Sequence, residues 1–222
     1  RGGLPRDSPR CLSTPVRRRF SRVCALMFET LPPETVALRI LLRDLEGDLE
    51  ERVERLRPIM ALEFDFGGGQ GLMLPGGTPA QAAYLETRQA FVVGNFVSVV
   101  LLSQCLLENV LAAHVGIEAL SAEIHRREFV APTEKPTFRR TIEACTAIGL
   151  INEDDEHDLL RLAKLRNALS HFRTVDHASH IDRRAMTELR SGPSILADDA
   201  RFAISVFVRI LAKPAFRFKP DP

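Results

Sequence analysis

Between Ala90 and Leu107 the sequence runs AFVVGNFVSVVLLSQCLL, apolar on nearly every side of any helix drawn through it. Such a helix is stable in water only if other elements cover it all round. A membrane span would need about 20 predominantly apolar residues. The strongest run here, 90–102, has 13 and is followed by Ser103, Gln104, Glu108 and Asn109. The segment therefore reads as the central, buried helix of a bundle, over about 79–115, with no membrane partner. Thr78-Pro79 opens it, Gly94 is a point where it can bend, and Gly116 is its expected end.

Amphipathic partners are present on both sides. Pro32-Pro33-Glu34 opens a first helix over 34–57, with Leu38, Leu41, Leu42, Leu45, Leu49, Val53 and Leu56 at helical spacing up to Pro58. FDFGGGQGLMLPGGTP, 64–79, follows. It lacks the Gly-Lys-Ser/Thr ending and the strand-to-helix setting of a phosphate loop, so it reads as a connector or short hairpin. A short helix is expected at 118–128, with Arg126 and Arg127 near its end, and Pro132 to Pro136 form a linker. A helix over 137–148 stops at Gly149-Leu150. Asn152, with Glu153, Asp154, Asp155 and Glu156, caps another over 153–174. A polar stretch, 175–197, carries His177 and His180. The last helix, 198–212, buries Phe202, Ile204, Val206, Phe207, Ile210 and Leu211, and residues after Pro214 form a loose tail.

No segment alternates like a strand, and there is no internal repeat. The expected fold is all-α, an up-and-down helical bundle with an extra N-terminal helix and a Gly/Pro-rich loop. Its divisions are 1–26, a basic leader; 27–78, the first helix and connector; 79–213, the helical domain; and 214–222, the tail. A chain of 222 residues with 45% apolar content suffices for one sizeable core.

The formal charge of +1 is unevenly spread. Residues 1–26 hold seven arginines against Asp7 alone, which leaves −5 on the rest. The body thus lacks a global basic field, and any contact with nucleic acid there must rest on a local patch. Three readings of 1–26 stay open: a start placed upstream of the true one at Met27, a disordered basic arm for acidic partners, and an arginine-rich targeting peptide. The cysteines, at 11, 24, 105 and 145, form no CxxC pair and lack histidines at zinc-ligand spacing. They read as reduced thiols, with Cys105 and Cys145 in apolar helical context where a buried, inert thiol is expected. No metal or cofactor is implied.

The segment KLRNALSHF, 164–172, sets Arg166, Asn167, Ser170 and His171 within six residues of an otherwise amphipathic helix. With Arg166 at zero on a helical projection, Ser170 falls at about 40°, Asn167 at about 100° and His171 at about 140°. Leu162, Leu165 and Leu169 lie opposite, toward the core. Asn167 and His171, four apart, are placed for the amide to orient the imidazole, beside a permanently charged guanidinium. The set offers a phosphate anchor and a group that exchanges protons near neutral pH. It suits metal-free RNA cleavage: His171 acting at the 2′-hydroxyl or leaving oxygen, Arg166 stabilising charge on the phosphate. One histidine cannot serve both sides of the phosphorus, so a second copy of the chain is expected to complete the site. Asn95, Ser98 and Asn109 fall within about 60° on the central helix and could face the motif, with packed polar residues satisfied by backbone as the commoner alternative. Arg161, Lys164 and Arg173 flank it as a candidate basic patch, with a solvated face as the ordinary alternative. His177 and His180 read as exposed loop histidines.

A long apolar helix bearing Glu108-Asn109, a Pro-initiated helix ending in GLI, an acid-capped helix and then Arg166-Asn167-Ala168-Leu169-Ser170-His171 together resemble the HEPN superfamily of helical bundles. The resemblance covers about 80–212, and 139–172 carries most of it. It implies a homodimer whose motif helices share a cleft, and a metal-independent endoribonuclease of cytoplasmic toxin–antitoxin or other defence systems. RNA and an antitoxin or regulatory protein are the implied partners. Carried over, the roles are phosphate binding for Arg166, proton transfer for His171 and orientation for Asn167, with Ser170, Glu108 and Asn109 supporting. The alternative within the same resemblance is a non-catalytic, mannitol-repressor-like regulatory or interaction module. The stretch 34–78 is not explained by it.

Overall fold

The computed structural model describes residues 33–65, 74–125 and 137–216. The basic leader with Met27, most of the glycine-rich connector, Arg126 and Arg127, the Pro132–Pro136 linker and the last residues of the tail lie outside the described residues. Among those described there are seven α-helices and no strand, an all-α bundle. They are α1 Glu34–Asp65, α2 Gly77–Val93, α3 Phe96–Ile124, α4 Phe138–Ala147, α5 Glu153–Ser170, α6 Ile181–Glu188 and α7 Gly192–Leu211, followed by a 3-10 turn at Pro214–Phe216.

The chain divides into two compact units, one ending at Leu49 and one beginning at Glu50. In the first, the described residues form the opening half of α1, whose Leu38, Leu41, Leu42 and Leu45 are exposed. In the second, α3 is the hub, packing against α2, α4, α5 and α7. Val99, Val100, Leu106, Leu107, Val110 and Leu111 are all fully buried there, as an all-round apolar helix requires. By length and composition α3 would also suffice to cross a membrane. Against it lie Phe207, Ile210 and Leu211 of α7, Leu159 and Leu162 of α5, and Ile142 and Cys145 of α4.

Several helix boundaries differ from the sequence expectation, each for a local reason. Helix α1 does not end at Pro58 but runs on to Asp65; its break lies at Asp48, beside Gly47, where φ is −135° and ψ 20°. Proline inside a helix costs about 3 kcal/mol. Pro58 itself is exposed, and the turn after it places Ile59 and Leu62 in the core, which offsets that cost. Gly94 does more than bend the central helix. With φ +83° it ends α2, Asn95 N–H donates to Ala90 O (2.8 Å), and α3 starts afresh at Phe96. Gly116 ends nothing, and the short helix expected at 118–128 is the continuation of α3 to Ile124. In the polar stretch, α6 forms where a loop was expected.

Helix α6 buries no residue of its own. Its ties to α7 include the Arg184 guanidinium, which donates to Asp199 Oδ2 and Oδ1 at 2.6 and 2.9 Å, with Asp199 almost wholly buried. Arg184→Ala leaves that carboxylate buried without its fork, and the expected loss is about 2 kcal/mol in urea unfolding. The amides of 181–188 should then be the first in the domain to lose exchange protection.

Residues 50–65 are held to α2 by polar contacts as well as apolar ones. Arg55 Nε donates to Val92 O (3.0 Å), and the Tyr84 hydroxyl donates to Glu63 Oε1 (2.8 Å), which Arg88 also meets at 3.0 Å. Burial, then the hydrogen bond to and charge of Glu63, push the Tyr84 phenol well above the usual tyrosine range. Because Tyr84 is the only tyrosine, alkaline absorbance titration reads it alone. Phenolate should stay absent at pH 10 and appear together with loss of helical circular dichroism; ionisation near pH 10 in the folded state would contradict the contact.

Candidate functional site

The motif helix is fixed at its start by strong local chemistry. Asn152 Oδ1 accepts the Asp155 N–H (2.9 Å) and Asp155 Oδ2 accepts the Asn152 N–H (3.1 Å), a reciprocal cap. Asp155, 1% exposed, also meets Arg209 Nε at 3.0 Å and Lys213 Nζ at 2.7 Å. Burial alone would raise its carboxyl, but Lys213, the Asn152 N–H and Arg209 outweigh that and hold it below the usual carboxylate range. Leu159 and Leu162 then anchor the inner face, with Leu165 and Leu169 packed at the edge of the core.

At the other end the sequence expectation needs correcting. Helix α5 stops at Ser170, and His171 has extended backbone, φ −120° and ψ 137°. The projection that set His171 beside Asn167 therefore does not apply. Instead, Arg166 Nη1 donates to Asn167 Oδ1 (3.0 Å), so the amide orients the guanidinium of its neighbour and not the imidazole. The Ser170 and His171 side chains are exposed and make no hydrogen bond among the described residues. Phe172, next in sequence, is 91% exposed.

Arg166 and Asn167 line a groove of about 360 Å³ between α3, α4 and α5. Glu108 and Gln104, one turn apart on α3, form one wall; Thr137 and Arg139 at the start of α4 form another; Lys164 joins Arg166 and Asn167 on α5. Among the described residues none of Arg139, Lys164 and Arg166 pairs with a carboxylate, so their charge stands against Glu108 alone. This is the local basic patch that the body's charge had left open.

Its membership differs from the flanking set read from sequence. Arg161 lies over the Phe202 ring at 4.0 Å, and Arg173 is half-buried with its Nε unpartnered. Arg139, from a separate helix, is the residue that sequence reasoning missed. Of the polar residues of the central helix, Asn95 sits in the break before α3, and Asn109 donates from Nδ2 to Cys105 O (2.8 Å); neither they nor Ser98 line the groove. Glu108 does, and Gln104, which was passed over, lies beside it. Ser170 and His171 lie outside its lining.

The remaining candidates have structural roles. His180 caps α6, its Nδ1 accepting the Asp182 N–H (3.2 Å), and His177 Nδ1 meets the Ser179 N–H and hydroxyl. Cys145 is buried and its thiol is pushed up to about 12 by burial, whereas Cys105 is exposed, not buried as its apolar context had implied. Among the described residues no three His, Cys, Asp or Glu side chains gather as metal ligands. Compared with known proteins, the chain matches no family model, no curated protein and no solved structure.

Proposed function

We propose that the chain is a metal-independent endoribonuclease of HEPN type, working as a cytoplasmic homodimer in a toxin–antitoxin or other defence system. The observation that carries this reading is the state of Arg166. Its guanidinium is oriented by Asn167, it has no carboxylate partner among the described residues, and it lines a groove with two more such cations. A phosphodiester seated against these cations meets donors that pair with no carboxylate among the described residues. His171, exposed at the end of the same helix, supplies proton transfer, and the second copy's motif helix supplies the opposite face of the phosphorus.

A second reading, a non-catalytic regulatory or interaction module of the same fold, is favoured by one observation: among the described residues no side chain orients the His171 imidazole. The two part on Arg166→Ala. For a nuclease, cleavage of single-stranded RNA in EDTA falls roughly 10²–10³-fold while the dimer persists in sedimentation. For a module whose Arg166 and His171 tie copies together, the same change yields monomer, and the wild type cuts nothing.

A further inference from the structure

In the opening half of α1, residues 34–47 before the break at Asp48, every residue is exposed. A helix of about four turns is marginal in water on its own and depends on packing one face. Such a face is present. Leu38, Leu41, Leu42 and Leu45 are each between 42% and 66% exposed, and with Leu38 at zero they share an arc of about 100°. Val36 and Ile40 fall on the opposite side. Arg39 and Glu46 lie two turns apart at about 80–100°, both along one edge of the leucine arc. Neither pairs with an opposite charge among the described residues.

We infer that this leucine face pairs with the same face of a second copy of the chain, the two helices antiparallel about a two-fold axis near Leu42 and Arg43. In a two-fold antiparallel pair, each edge of the apolar stripe meets the same edge of the other helix. Arg39 of one copy then lies beside Glu46 of the other, and Glu46 beside Arg39. The patch is thus complementary in charge to itself, which selects a second copy as its occupant. A parallel pair would set that edge against the other one, which Ala37 and Leu41 occupy. The four leucines of each helix supply the apolar burial, and the charges fix direction and register. The surface shares no residue with the motif helix, and it lies in the stretch that the superfamily resemblance leaves unexplained.

The test is sedimentation of the full chain beside Arg39→Glu, Glu46→Arg and an equal mixture of those two variants. Each single reversal sets like charges together at both ends of the pair and should weaken association roughly 10-fold. The mixture should recover it, because in a mixed pair one helix is acidic along that edge and the other basic. Leu45→Gln, at an exposed position and with a good helix former, should weaken association roughly 100-fold while helical circular dichroism is kept. Association through α5 alone would be indifferent to all of these changes and sensitive to Arg166→Ala, so this pairing and the proposed nuclease dimer fail separately. Association indifferent to either reversal, or a mixture that does not recover, overturns the pairing. So does a wild type that stays monomeric at every concentration, the result expected if residues 1–32 of the same chain or a different protein cover the leucines.

Discussion

If the chain cleaves RNA as proposed, replacing His171 with alanine is expected to lower the cleavage rate by roughly 10²–10⁴-fold, the usual contribution of a positioned proton-transfer group. The stability of the chain should hardly change, because the imidazole is exposed and makes no hydrogen bond among the described residues. This combination is informative. A buried histidine would confound loss of activity with loss of fold, whereas here circular dichroism and Tm should overlay with wild type while activity collapses. With no orienting side chain among the described residues, the proposed chemistry carries a condition: substrate or a second copy must position the imidazole. On the proposed dimeric nuclease reading, cleavage by the wild type should therefore fall steeply on dilution below the dissociation constant of that dimer.

The largest expected structural effect is at Asp155. Its carboxylate closes the cap of α5 with Asn152 and reaches Arg209 and Lys213 at the end of α7, so one side chain joins two helices. Asp155→Ala removes all of these contacts. Breaking a buried ion pair typically costs 3–5 kcal/mol. The lower end is expected here, about 3 kcal/mol or a fall in Tm of roughly 6–12 °C, because Arg209 is 44% exposed and stays solvated when its partner is lost. Asp158→Ala, which removes the more exposed contact to Arg209 and a surface contact to His157, should cost less than about 1 kcal/mol. The folded-state carboxyl of Asp155 lies below its unfolded value of about 3.9, so its contribution is complete above that pH and is lost as pH falls through the folded value. Acid unfolding of wild type and Asp155→Ala should converge below about pH 4; parallel curves down to pH 2 would show that Asp155 carries none of the acid sensitivity.

Where the sequence carries strong chemical punctuation, its helices were legible. Asn152 with four acids behind it and Gly149 at φ +73° each leave a backbone group one obvious partner, and α5 begins and α4 ends there. The apolar run through α3 was legible too, since its length without a charge fell short of a span and its residues found cover among α2, α4, α5 and α7. Pro58 misled because tertiary burial overrides local preference: Ile59 and Leu62 after it gain more from the core than the proline loses. Past Gly116 only Ala122 is buried while Ile117, Leu120 and Ile124 are exposed, so burial does not explain that continuation. The end of α5 was missed for the opposite reason. Ser170-His171-Phe172 contains no breaker, and the helix stops where inward apolar contacts stop, after Leu169. Helix α6 offered no apolar stripe to read, and its tie is an ion pair between residues 15 apart. The groove could be read only in part: Arg166 and Asn167 were visible as a motif, but Arg139 and Gln104 reach it from other helices.

The reading stands or falls on whether the end of α5 acts on RNA through the 2′-hydroxyl. The most direct measurement is a time course in EDTA of the full chain with a single-stranded RNA and with the same sequence bearing 2′-O-methyl groups throughout. The reading predicts cleavage of the RNA and none of the methylated strand. An intact RNA, or equal cutting of both strands, would contradict it.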